Sequence, residues 1–197
     1  MNSTIQGYGD YSQVYDDMVV DFWQKFPGDF SRFFADNLPD NKVLDLGSGS
    51  GRDAVLLRDL GLKVLCADAA KSMVEMTRKL GFESVQTTFS EMNFPQEFGG
   101  IWAYTSLIHV SKDEMKLAIE KLREFLLPNG LFAIGVIEGK TEYERQQDKM
   151  PNATFLFQDY ESDDLVKIIE PLGFKLVLET RYQPRRSIYL QQIYKKS

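Results

Sequence analysis

From residue 42 onward, short apolar runs alternate with stretches whose apolar positions recur every three to four residues. The runs near 42–46, 62–67, 83–88, 100–105 and 131–137 have the length and β-branched content of strands. Between them lie helical patterns over 52–60 and 70–80, stopped by Gly61 and Gly81, and over Lys112 to Phe125. The last of these places Met115, Ala118, Ile119, Leu122 and Leu126 on one face behind Ser111 as N-cap. Pro128-Asn129-Gly130 predicts a turn into the fifth strand. A helix over 162–172 ending at Gly173 and a strand pair over 174–180 and 188–194 close the pattern. Helices are also predicted for Tyr11–Phe26 and 30–37, whereas 139–160 keeps no sustained period and reads as an excursion. Strand alternating with helix predicts a doubly wound α/β domain over 1–197. Its mostly parallel, seven-stranded sheet carries helices on both faces and an antiparallel C-terminal strand pair.

The first strand runs into Asp45-Leu46-Gly47-Ser48-Gly49-Ser50-Gly51-Arg52-Asp53, where a glycine-dense turn opens a helix. Glycines permit positive φ and close approach of a ligand to the backbone, and the N–H groups of the following helix point into the crevice at the strand's carboxyl end. This is the build of a nucleotide-type site. A dinucleotide fingerprint needs a third glycine where Arg52 stands, so the G-x-G-x-G spacing argues against NAD or FAD. At the end of the second strand stands Asp68, roughly 20 residues beyond the loop, where a ribose-binding carboxylate is expected.

Asp45 before the loop, its alternating glycines and Gly51-Arg52-Asp53 resemble motif I of the class I S-adenosylmethionine-dependent methyltransferases. Phe98-Gly99-Gly100-Ile101-Trp102-Ala103-Tyr104-Thr105-Ser106-Leu107-Ile108-His109-Val110 resembles the FDGIWACASLLHV segment of small bacterial members that share the Gly-Ser-Gly-Arg-Asp loop. The resemblance implies a Rossmann-like methyltransferase fold, S-adenosyl-L-methionine as cofactor and S-adenosyl-L-homocysteine as product. It implies cofactor contacts from Asp45, Gly47, Ser48, Gly49, Gly51, Asp68, Ala69, Phe89 and Ser106. Asp45 falls to the methionine end, Asp68 to the ribose and Phe89 to the adenine face. An N-terminal segment, 1–38, is implied as a helical lid carrying Tyr11 and Tyr15 over the cofactor, with the 139–160 excursion also above the site.

The 197 residues, 43% hydrophobic, suffice for one α/β core and not for two. A net charge of −6 argues against a sequence-independent grip on nucleic-acid phosphates. The single cysteine, Cys66, reads as a small buried hydrophobe, and no apolar run is long enough for a membrane helix. Together with the resemblance, which implies methylation of a small molecule, these features predict a cytoplasmic enzyme, monomer or homodimer, without contact with nucleic acid or membrane. With one histidine, no metal site is predicted. An NAD(P)-linked oxidoreductase, a methyltransferase acting on protein or RNA, and a non-catalytic binder stay open as alternatives.

Methyl transfer is a displacement at carbon, so positioning and exclusion of water matter more than a covalent nucleophile. His109, just past the fourth strand, is the candidate general base. Its alternative role is to cap the strand end, and no carboxylate stands near it in sequence to orient the ring. Arg52 is expected to brace Asp45 or a neighbouring carboxylate. Tyr8, Tyr11, Tyr15 and Trp23 either face a sulfonium or dock a helix, and Phe155, Phe157 and Tyr160 either roof an acceptor pocket or pack under the loop. Arg181, Arg185 and Arg186 either attract an anionic acceptor or stand solvated.

Overall fold

The computed structural model describes residues 3–184 and 186–197. Its centre is a seven-stranded sheet built from β1 (Lys42–Leu46), β2 (Lys63–Asp68), β3 (Glu83–Gln86), β4 (Phe98–Tyr104), β5 (Leu126–Ile137), β8 (Phe174–Tyr182) and β9 (Tyr189–Lys196), in the order β3-β2-β1-β4-β5-β9-β8. β9 runs antiparallel to both of its neighbours, β5 and β8, and the other pairings are parallel. The order reverses between β1 and β4, which opens the ligand crevice at their carboxyl ends. The crossovers are α4 (Arg52–Asp59), α5 (Lys71–Lys79), α6 (Lys112–Leu122) and α7 (Ser162–Ile169).

Side chains alternate along β1 and β4, and so feed two cores. Leu44, Leu46, Ile101 and Ala103 enter the core that includes Met115 and Ile119 of α6. Val43, Trp102 and Tyr104 enter the opposite one with Leu57, Phe30 and Phe34. The N-cap expected at Ser111 is a full capping box, with Glu114 answering the Ser111 backbone. Among the described residues no helix is long and apolar enough to cross a membrane.

Three segments depart from the sequence expectations. In place of one helix over Tyr11–Phe26, the chain forms α1 (Ser3–Asp10), α2 (Ser12–Val19) and a 3-10 turn at Trp23–Lys25. A Cβ on Gly7 would stand 2.7 Å from Ala153 Cβ, so it is close packing that holds this glycine-containing segment as a helix. A separate packing contact divides the expected lid. Phe22 and Trp23 pack against the core around Trp102 and Tyr104, and Phe26 lies within it, leaving only α1 and α2 over the crevice. The 139–160 excursion is an ordered hairpin, β6 (Glu142–Gln147) and β7 (Met150–Gln158). Its buried Ala153, Phe155 and Phe157 alternate at the strand period, and α1 lies on it with the Leu156 N–H donating to Thr4 Oγ1 at 3.1 Å. Finally, Pro128-Asn129-Gly130 lies inside β5, which starts at Leu126; Asn129 takes φ 63° and the β4–β5 register shifts beside it. A third helix, α3 (Asp29–Asp36), covers the Trp102 side of the sheet.

Candidate active site

At the carboxyl ends of β1, β2 and β4 lies a cavity of about 620 Å³, within the size range of small-molecule sites. Its floor is the glycine loop. Gly47 and Gly49 adopt φ +73° and +53°, and the Gly47 N–H donates to the Ala67 carbonyl at 2.8 Å. A Cβ on Gly47 would fall 2.3 Å from Ser106 Cβ, and one on Gly49 would fall 3.3 Å from the Tyr15 ring. Gly47 therefore needs glycine for conformation and for room, and Gly49 for conformation.

Asp68 closes the loop from β2. Its Oδ2 accepts from the Gly49 N–H at 2.9 Å and its Oδ1 from the Ala70 N–H at 2.8 Å. Each oxygen keeps further lone-pair capacity towards the cavity it lines. Burial raises its pKa, opposed by those backbone donors. Asp45 is 1% exposed, and its Oδ2 has no partner within the protein. Burial, reinforced by the nearby Asp53 carboxylate, holds the Asp45 carboxyl well above the usual range. The buried Ser106 Oγ likewise has no partner. Orphaned buried acceptors beside a loop too tight for a Cβ fit a ligand carrying an ammonium and hydroxyls, as S-adenosylmethionine does.

Gly47, Ser48, Gly49, Asp68, Ala69, Phe89 and Ser106 line the cavity with Tyr15. Asp45 and Gly51, also expected to contact the cofactor, are not among the lining residues; Gly51 is the left-handed N-cap of α4. Tyr11 is not among the residues lining the cavity, whereas Tyr8 is. The helix breaks at Tyr11, which packs on the core, and Tyr8 of α1 lines the cavity with its ring 5.1 Å from that of Tyr15.

His109 ends a 3-10 turn after β4, with both ring nitrogens engaged: Nδ1 lies 2.7 Å from the Leu156 carbonyl and Nε2 2.9 Å from the Tyr8 hydroxyl. A carbonyl only accepts, so Nδ1 carries the proton and Nε2 accepts from Tyr8. Burial lowers its pKa to about 4, despite the Leu156 carbonyl pulling the other way. At neutral pH the ring is an uncharged bridge between the hairpin and α1.

Arg52 braces Asp53, the nearer of the carboxylates open to it, through Nε–Oδ1 at 2.6 Å and Nη2–Oδ2 at 3.0 Å. The Trp23 and Trp102 indole N–H groups donate to the same carboxylate at 2.6 and 3.3 Å, and the guanidinium lies 4.0 Å over Phe22. This clamp, unseen in the sequence, pins the 22–26 segment to the start of α4.

A second cavity of about 400 Å³ adjoins the first and shares Tyr8, Tyr15, Arg52, Thr105 and His109 with it. Phe157 and Ile137 form part of its wall, whereas Phe155 and Tyr160 are fully buried packing. Of the three arginines near the C terminus, Arg181 is tied to Glu138 and Glu179 at 2.7 and 2.5 Å, and Arg186 lines the second cavity. Arg185 lies outside the described residues. Cys66 is fully buried, and burial pushes its thiol far up, as a small core residue requires.

A family model described as a methyltransferase domain matches residues 43–130, from β1 through the glycine loop and His109. No curated protein matches. Among solved structures, the complex of DhpI with S-adenosylhomocysteine superposes with a TM-score of 0.80 at 19% identity, covering 99% of this chain and 96% of that one. The CcbJ methyltransferase from Streptomyces caelestis gives 0.70 at 18% identity, over 85% of this chain and 94% of that one. The glycopeptide N-methyltransferase MtfA complexed with S-adenosylmethionine gives 0.68 at 19% identity, over 85% of this chain and 86% of that one. At such identities the superpositions speak to a shared fold.

Proposed function

We propose that the chain is a class I S-adenosylmethionine-dependent methyltransferase that methylates a small-molecule acceptor by direct in-line displacement. The observation that carries this reading is the pair of adjoining cavities. One is floored by the glycine loop and the other, of about 400 Å³, is sized for a small molecule, with a common wall at Tyr8, Tyr15, Thr105 and His109. MtfA, by its name, acts on a glycopeptide, which accords with an acceptor smaller than a folded protein.

Bound S-adenosylmethionine supplies a methyl carbon activated by its sulfonium. The protein's part is to hold and shield. In this reading Asp68 accepts from the ribose hydroxyls, the free Asp45 Oδ2 takes the ammonium end, and Phe89 lies against the adenine. The Tyr8 and Tyr15 rings present electron-rich faces to positive charge. α1 and the β6–β7 hairpin, packed on each other, keep water from the common wall.

His109 is a positioning group in this scheme, since its one free lone pair is taken by Tyr8 and it stays neutral well below pH 6.5. A base would show itself as a rate falling with pH through its pKa. Above pH 5 the rate should show no inflection belonging to His109, and His109→Ala should lose less than about tenfold in kcat, worth about 1.4 kcal/mol, with cofactor affinity intact. Steady-state kinetics across pH, with label uptake from methyl-labelled S-adenosylmethionine as the assay, decide this. A loss beyond about a hundredfold with unchanged folding and cofactor affinity, together with a parent rate that falls with pH through an inflection absent from His109→Ala, overturns it.

A further inference from the structure

We propose that the acceptor is a small organic anion, its oxyanion group of carboxylate or phosphonate type held by Arg145 and Arg186 at the second cavity. The inference rests on reading that cavity as the acceptor site.

The chain as a whole carries −6, so cations gathered at one place run against its composition. The second cavity nevertheless carries Lys25, Arg52, Arg145 and Arg186 against a single acid, Asp21. Two of these cations are already committed. Lys25 Nζ pairs with Asp21 at 2.5 Å, and the Arg52 fork is spent on Asp53. Among the described residues no ion pair is formed by Arg145 or Arg186, although Arg181, on the same β8–β9 hairpin as Arg186, is held by two carboxylates.

Placement supports the same conclusion. Arg145 stands on β6 with its guanidinium carbon 4.8 Å over the Phe157 ring, itself part of the cavity wall. Stacking on a ring occupies the flat face of a guanidinium and leaves its edge N–H donors free for bidentate contact with an oxyanion. Arg186 reaches the same cavity from the connection between β8 and β9, so the two cations converge from separate elements. Much of the remaining wall is apolar, including Met18, Val19, Ile137 and Phe157. An apolar body with one anionic group matches this distribution. A cation would be repelled, and a neutral molecule would leave the field of two unpaired arginines beside low-dielectric walls unused.

Calorimetry on the protein saturated with S-adenosylhomocysteine tests this, with benzoate, phenylphosphonate and benzamide as probes. At least one anion should bind about tenfold or more tightly than benzamide, the scale of hydrogen bonds to charged groups. The tighter of the two anions names the oxyanion type. That preference should weaken with added salt and disappear in the Arg145→Gln/Arg186→Gln double variant, with S-adenosylhomocysteine affinity held within about twofold as the check on folding. The proposal is overturned if benzamide binds as tightly as both anions, if the double variant keeps the preference, or if the cofactor product binds and no probe does. Failure to bind S-adenosylhomocysteine at all would strike the cofactor site itself, and the acceptor proposal with it.

Discussion

Asp53→Ala should unfold at a markedly lower denaturant concentration than the parent protein, a loss of about 3–5 kcal/mol, the range for removing one partner of a buried ion pair. Asp53 is 4% exposed and accepts from four donors: Arg52 Nε and Nη2, Trp23 Nε1 and Trp102 Nε1. Its removal strands a guanidinium whose side chain is only 11% exposed, together with two indole N–H groups. Among the described residues no other acceptor serves either indole, so relaxation cannot restore the bonds without opening the packing of Phe22 and Trp23 on Tyr104. Asp53→Asn should fall between the two, since the amide keeps one acceptor and sets an NH₂ against the Arg52 fork. Urea unfolding followed by tryptophan fluorescence measures it. A midpoint shift worth less than about 1 kcal/mol would show that the clamp is a surface ion pair in effect, despite its burial.

Asp68→Ala should bind S-adenosylhomocysteine about ten- to a hundredfold more weakly, corresponding to about 1.5–3 kcal/mol for hydrogen bonds to a charged group. Two effects act together. The carboxylate proposed to accept from the ribose hydroxyls is removed, and the Gly49 and Ala70 N–H groups lose the acceptor that holds the loop shut over the end of β2. Asp68→Asn separates them. Its carbonyl oxygen can serve one of the two backbone donors while its NH₂ faces the other, so the loop is half restored and the charge is gone. Calorimetry should rank the parent above Asn and Asn above Ala. An unchanged dissociation constant in Asp68→Ala would remove this residue from the cofactor site.

How much of this was legible in the sequence depended on how local the cause was. The β1 strand, the glycine loop and the start of α4 follow from apolar residues, positive-φ glycines and an N-terminal helix cap contained in eleven consecutive residues, 43–53. Asp68 was legible because a βαβ unit has a fixed span. The Ser111–Glu114 box is a contact between residues three apart. By contrast, Tyr8 meets His109 across 101 residues and Trp23 meets Asp53 across 30, and neither spacing has a periodic signature. The extent of α1 was hidden because Gly7 and Gly9 lower its intrinsic helix preference, and the packing of Gly7 on Ala153 and Phe155 reverses that only in the folded molecule. The hairpin left one trace, the alternation of Ala153, Phe155 and Phe157, too short beside its charged partner strand to outweigh the irregular stretch around it. Arg145 lies on that partner strand, and its stacking on Phe157 depends on the hairpin register.

Methyl transfer to a small molecule is tested by following the methyl group. Methyl-labelled S-adenosylmethionine is incubated with the protein and a cell extract separated into small-molecule, protein and RNA fractions, each compared with the same fraction lacking the protein. Label should enter the small-molecule fraction in step with the S-adenosylhomocysteine formed, and should stay at background in the other two. Label appearing in protein or RNA instead, or no protein-dependent transfer in any fraction, would contradict it.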